Sequence, residues 1–133
     1  MENSVVVSDK APAPASAYAA AVATPSGMRW LSVSGQVGVS VDGVQPEAIE
    51  DEIAQSWRNV IALLNADGMD VGDIVDVLAI VTDHSGVAPY RSVRDKVLGG
   101  HVCGSTMLVC GLANPDWRVE IAVRAAKSYQ LAR

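Results

Sequence analysis

IEDEIAQSWRNVIALLNADGMDVGDIVDVLAIVT, residues 49–82, decides the fold because its hydrophobic period changes partway along. In its first half Ile49, Ile53, Trp57, Val60, Ile61 and Leu64 recur at helical spacing and form one apolar face. Glu47, Glu50, Asp51 and Glu52 crowd the start, where the helix dipole favours negative charge, and Pro46 suits a first turn. Gly68 ends the pattern. In the second half Ile74-Val75-Asp76-Val77-Leu78-Ala79-Ile80-Val81-Thr82 is too short and too β-branched for an independent helix, and reads as a central strand.

Outward from this core, Asp83-His84-Ser85-Gly86 leads into a second helix over 87–98, stopped by Gly99-Gly100. Thr106–Cys110 reads as a strand, Asn114-Pro115-Asp116 as a turn and Trp117–Ala126 as a closing strand, together a final hairpin. On the other side, Ser4–Val7 is a short β-branched run, and the prolines of Ala11-Pro12-Ala13-Pro14-Ala15 oppose a helix. Pro25-Ser26-Gly27 reads as a turn inside a hairpin over 18–34. The order predicts an α+β fold with two helices on one face of a mixed sheet. The sheet's second face then needs a cover, and another copy of the chain would supply one.

The whole chain of 133 residues is expected to form one domain over 1–133. Half of it is hydrophobic and none of it is Phe, so the core is built from small branched side chains. A formal charge of −5 without a basic run argues against nucleic acid as a partner. No apolar stretch approaches the roughly 20 residues of a membrane span, and MENSVVVSDK lacks the apolar run of a secretory signal, so no membrane and a cytoplasmic location are expected. Cys103 and Cys110 have neither disulfide-framework nor zinc-site spacing; no metal and no cofactor are expected, and no phosphate-binding glycine motif is present.

Glu120 is the leading candidate for chemistry. In Val119-Glu120-Ile121-Ala122-Val123-Arg124 the period of two sets Glu120, Ala122 and Arg124 on one face. Glu120 and Arg124 lie about 13 Å apart along such a strand, too far to pair. Glu120 therefore sits on a wetted face or in a subunit ion pair, or acts as a general acid or base. Ser34-Gly35-Gln36 ends a strand with a glycine that admits close approach, or is a plain turn. His84 reads as part of a helix cap or as a base. His101 and Cys103 could pair for nucleophilic catalysis only if the fold brings them together. Trp30 and Trp117 read as core or interface aromatics.

These residues resemble the reactive-intermediate deaminase (Rid, YjgF-like) family. The resemblance is carried by Ala11-Pro12-Ala13 with Tyr18, Ser34-Gly35-Gln36, the acidic-start helix, Asp73-Ile74-Val75, Val81-Thr82-Asp83, Ser105-Thr106 and Val119-Glu120-Ile121, spanning 4–126. It implies a chorismate-mutase-like homotrimer around a central barrel, with small-molecule clefts between subunits. It further implies hydrolysis of an enamine or imine to a carbonyl compound and ammonia, with Glu120 near the attacking water and Tyr18 and Ser34 in the pocket. The family's arginine that forks onto the substrate carboxylate corresponds to Gly104, or to Ser105 if the 111–118 loop is aligned without an insertion. The resemblance thus implies a substrate other than 2-aminoacrylate, admitted by a neutral Cys103-Gly104-Ser105 loop. Arg29, Arg118 and Arg124 are the arginines available to substitute from another strand or subunit. A non-catalytic metabolite-binding trimer and a non-hydrolytic isomerase or cyclase remain as alternatives.

Overall fold

A computed structural model describes residues 2–129; Met1 and residues 130–133, the ends of the expected 1–133 domain, lie outside the described residues. Six strands and two helices follow in the order β1 (Ser4–Val6), β2 (Ala21–Ala23), β3 (Met28–Val37), α1 (Ile49–Ala66), β4 (Ile74–Val81), α2 (Val87–Leu98), β5 (Gly104–Val109) and β6 (Val119–Ser128). The main sheet has the order β3-β6-β4-β5. β6 runs antiparallel to both of its neighbours, and β4 pairs with β5 in parallel. The expected α+β class with a mixed sheet and two helices is what the structure has. Among the described residues no helix is long and apolar enough to cross a membrane.

Two pairings differ from the expected hairpins. β2 pairs with β1 and not with β3. Residues 18–23 are drawn away from β3 by a backbone bond from Ala19 N–H to Cys103 O at 2.8 Å and by a bridge between Ala19 and Gly104. The ribbon of β1 and β2 is held on the sheet by Asn3 Nδ2, which donates to Ala126 O. β5 and β6 form no hairpin either, because β4 lies between them. The intervening α2 makes β4-α2-β5 a crossover unit, which demands a parallel pair.

α1 buries Ile53, Trp57, Val60 and Leu64 against Val77, Ala79, Val81, Val119, Ile121 and Val123 of the sheet. Its first turn carries Glu50, Asp51 and Glu52, as the dipole argument expects, but helical residues begin at Ile49, three after Pro46. Glu52 is wholly buried. Its carboxylate accepts from Arg118 N–H at 2.8 Å, Arg118 Nε at 2.6 Å and Gln45 Nε2 at 3.2 Å. Arg118 also donates to the carbonyls of Pro46 and Glu47, so this ion pair ties the start of α1 to the start of β6. Gly38 is required beside it, since a Cβ there would lie 2.3 Å from Glu52 O.

Both helices cover one sheet face. The other carries Trp30, Ser32, Ser34, Asp76, Leu78, Ile80, Gly104, Thr106, Leu108, Glu120, Ala122 and Arg124, none of them buried. Trp30 is 51% exposed, Leu78 38% and Leu108 46%, which marks apolar surface on this face that the described residues leave uncovered.

Candidate functional site

The register divides the candidate residues into two groups. Gly104 stands opposite Asp76, and Asp76 opposite Arg124, in one row across β5, β4 and β6. Glu120 stands opposite Ile80 and Val37, four residues further along β6. Four residues along a strand and two strands across separate Glu120 from Gly104 by about 16 Å. One small molecule cannot touch both within a single chain.

The first group is built on the Ser34–Gly35 bulge. Val33 pairs with Val123 and Gln36 with Ile121, leaving Ser34 and Gly35 together opposite Ala122. Such a bulge bends its strand and re-aims the residues beside it. Glu120 lies over this bend: a Cβ on Gly35 would come within 2.6 Å of Glu120 Cδ and 2.8 Å of Oε2. The glycine therefore admits a side chain of its own chain. Glu120 is half-buried, and its carboxylate has no hydrogen bond or ion pair to any described residue. Glu52, by contrast, spends its acceptors on three donors.

The second group surrounds the start of β5. Tyr18 lies in the segment bridged to Gly104, its hydroxyl accepting from Ala15 N–H at 3.2 Å. Ser16, two residues before it, accepts from Arg94 Nη2 at 2.6 Å, and Arg94 is itself buried against Tyr90. Gly104 faces the uncovered side, where a Cβ would rest 3.3 Å from Asp76 Cβ. Ser105 pairs with the buried Val77 and so shares the helix-facing side. Cys103 points inward as well. The residue is 2% exposed, and burial pushes its thiol pKa up to about 11, with Arg94 acting the other way. At neutral pH it is a protonated core thiol.

Sequence reasoning did not single out Asp76, whose partner is the outward-facing Arg124. Arg124 Nη2 lies 2.5 Å and Nε 3.3 Å from the two carboxylate oxygens. That bond and the Asp76 charge raise the Arg124 pKa. The pair lines a cavity of about 380 Å³ with Ala20–Val22, Val75–Leu78 and Gly104–Thr106. The other two arginines are engaged elsewhere, Arg29 with Asp67 and Arg118 with Glu52. His84 is exposed in a 3-10 turn whose cap is Asp83, which accepts from Ser85 N–H. His101 sits 2.8 Å from Ile74 O through Nε2, a backbone tie for the loop before β5. No cluster of three or more metal-ligating side chains occurs among the described residues.

The family profile of the endoribonuclease L-PSP proteins matches residues 8–127. The chain belongs to that family, the Rid or YjgF-like proteins. A RutC family protein of Aquifex aeolicus is 33% identical over 75 residues, which cover 56% of this chain and 58% of the relative. A Rid-family protein of unknown function from Yersinia pestis superposes with a TM-score of 0.82 at 24% identity, covering 96% of this chain and all of that one. A putative endoribonuclease of Thermotoga maritima follows at a TM-score of 0.70 and 26% identity, with 95% and 98% covered. The Rid resemblance read from the sequence is thereby established, as is the Rid fold.

Proposed function

We propose that this Rid chain, a single domain, works as a cytoplasmic homotrimer that hydrolyses a small enamine or imine to a carbonyl compound and ammonia. The cleft would unite the Glu120 group of one chain with the Tyr18–Gly104 group of its neighbour. The observation that carries this reading is Glu120, a carboxylate without a partner among the described residues, set over a glycine bulge on a sheet face that the described residues leave open there. Its separation from Gly104 supports placing the cleft between chains, because each group alone is half a site.

In the proposed step Glu120 takes a proton from a water molecule as the water oxygen bonds to the imine carbon, and the C=N π pair moves to nitrogen. Glu120 returns this proton to the nitrogen; as the new hydroxyl collapses to C=O its proton passes by way of Glu120 to the nitrogen, which leaves as ammonia. Water and imine thus become carbonyl compound and ammonia, and Glu120 ends as it began. Ser34 and Tyr18 would orient the ligand by their hydroxyls. Gly104 stands where the resemblance places the carboxylate-binding arginine, so the ligand differs from 2-aminoacrylate. Charge-assisted bonds of that kind contribute roughly 1.5–3 kcal/mol each, a loss of at least tenfold in affinity for simple acrylates.

RNA cleavage, which the family's profile name suggests, has little support in a chain of charge −5. Ammonia release is the test, measured with imines generated in situ from several amino acids and from amines without a carboxylate. Turnover that Glu120→Gln abolishes is expected. Silence on both sets at micromolar protein would retire the hydrolase in favour of a binding trimer.

A further inference from the structure

Gly104, Asp76 and Arg124 share one cross-strand row, and all three border the 380 Å³ cavity beneath the ribbon segment Ala20–Val22. The Asp76 carboxylate lies along the Nε–Nη2 edge of the guanidinium. A guanidinium has a second edge, Nη1–Nη2, able to fork onto a carboxylate, and Nη1 has no partner among the described residues. Asp76 uses one lone pair on each oxygen for Arg124 and has others to accept from a ligand N–H. Gly104 adds no side chain, and Ala20, Ala21 and Val22 supply only small apolar walls.

The electrical consequence is specific. A cationic wall alone attracts any anion, but here the two charges cancel at a distance and act only on groups close enough to see them separately. A net anion gains little, whereas a dipolar molecule can set its carboxylate on Arg124 and its nitrogen on Asp76. We infer that the Arg124–Asp76 pair is a recognition site for a small, net-neutral ligand that carries a carboxylate beside a cationic nitrogen. The inference rests on the proposed reading only in taking this end of β5 as a ligand wall, and it sets that ligand's class by a dipole in place of a lone cation.

The probes are L-alanine and propanoate, which share a skeleton and differ by the ammonium group. Both are titrated into the full-length protein while the amide NMR signals of Gly104, Thr106 and Arg124 are followed. Removing one unit charge about 5 Å away in a solvated cleft changes affinity about fivefold to tenfold. The expected result is that alanine binds at least about fivefold more tightly than propanoate, that Asp76→Asn erases or reverses this preference, and that Arg124→Gln weakens both probes. Arg124→Lys, which keeps the charge and loses the fork, should fall between wild type and Arg124→Gln. An unaltered preference in Asp76→Asn, unaltered affinity in Arg124→Gln, or no response of these amides to tens of millimolar of either probe overturns the inference. Binding is read here without turnover. A protein that prefers alanine but releases no ammonia upholds this site and fails the hydrolase, and ammonia release without the preference does the reverse.

Discussion

Replacing Gly35 by alanine should separate activity from stability. The new Cβ would meet Glu120 Cδ at 2.6 Å, against 3.4 Å for the nearest ordinary contact, so the carboxyl group must retreat by at least 3.4 − 2.6 = 0.8 Å. The three atoms nearest to it all belong to the flexible Glu120 side chain. A side chain pushed off its rotamer there costs about 0.5–1.5 kcal/mol, close to the typical effect of a point substitution. The functional cost is larger, because misplacing a reacting group by about 1 Å lowers the rate about 100-fold. Thermal unfolding by circular dichroism and steady-state ammonia release, on the same preparation, measure the two quantities. We expect a midpoint within a few degrees of wild type with kcat down about 100-fold. A variant that turns over within about twofold of wild type would refute the claim that Glu120 must lie over this glycine to act, and one that fails to fold would refute the packing argument.

The same substitution at Gly38 has the opposite signature, since its Cβ would lie 2.3 Å from the Glu52 carbonyl oxygen and the α1 backbone cannot step aside. Gly38→Ala should lose about 3 kcal/mol in urea unfolding, at the upper end of ordinary overpacking costs. Truncating Glu52 to alanine strands the half-exposed Arg118 and empties a buried volume, and should cost about 3 kcal/mol by the same assay, discounted for the solvent that reaches Arg118. Thiol titration with an aromatic disulfide should modify exposed Cys110 in the native protein and reach buried Cys103 only on unfolding. Cys103 also bears on pH: its pKa rises from 9.0 to about 11 on folding, so the native state holds the proton that the unfolded chain releases. Its contribution is therefore complete below pH 9 and lost as pH climbs towards 11, and Cys103→Ala should flatten part of the decline in stability across that window.

Periodicity is local and survived well. The apolar face of α1 appears as read, with Ile53, Trp57, Val60 and Leu64 buried, and α2 spans Val87–Leu98 as its flanking glycines suggest. The alternation of β6 likewise set Glu120, Ala122 and Arg124 outward. Pairing is non-local, and there the reading failed: the turn residues at 25–27 and 114–116 mimic hairpins, while Ala19 and β4 capture the strand edges concerned. A helix between two strands was itself a parallel signal that the 111–118 turn obscured. For the site, the identity of Glu120 was legible and its lack of partners among the described residues was not. The Asp76–Arg124 pair joins residues 48 apart, and only the register of β4 on β6 reveals it. At about 13 Å along the strand Glu120 is out of reach of Arg124, and Arg124 pairs across the sheet with Asp76.

Subunit mixing tests the shared site most directly. Glu120→Gln chains and Gly104→Trp chains, each expected to be inactive alone, are unfolded together and refolded at equal amounts. If each cleft takes Glu120 from one chain and the Gly104 end from its neighbour, half of each partner position is intact, and about one quarter of wild-type ammonia release should return. A mixture that assembles and stays as inactive as its parents would place both groups' work within one chain, and the account would fail.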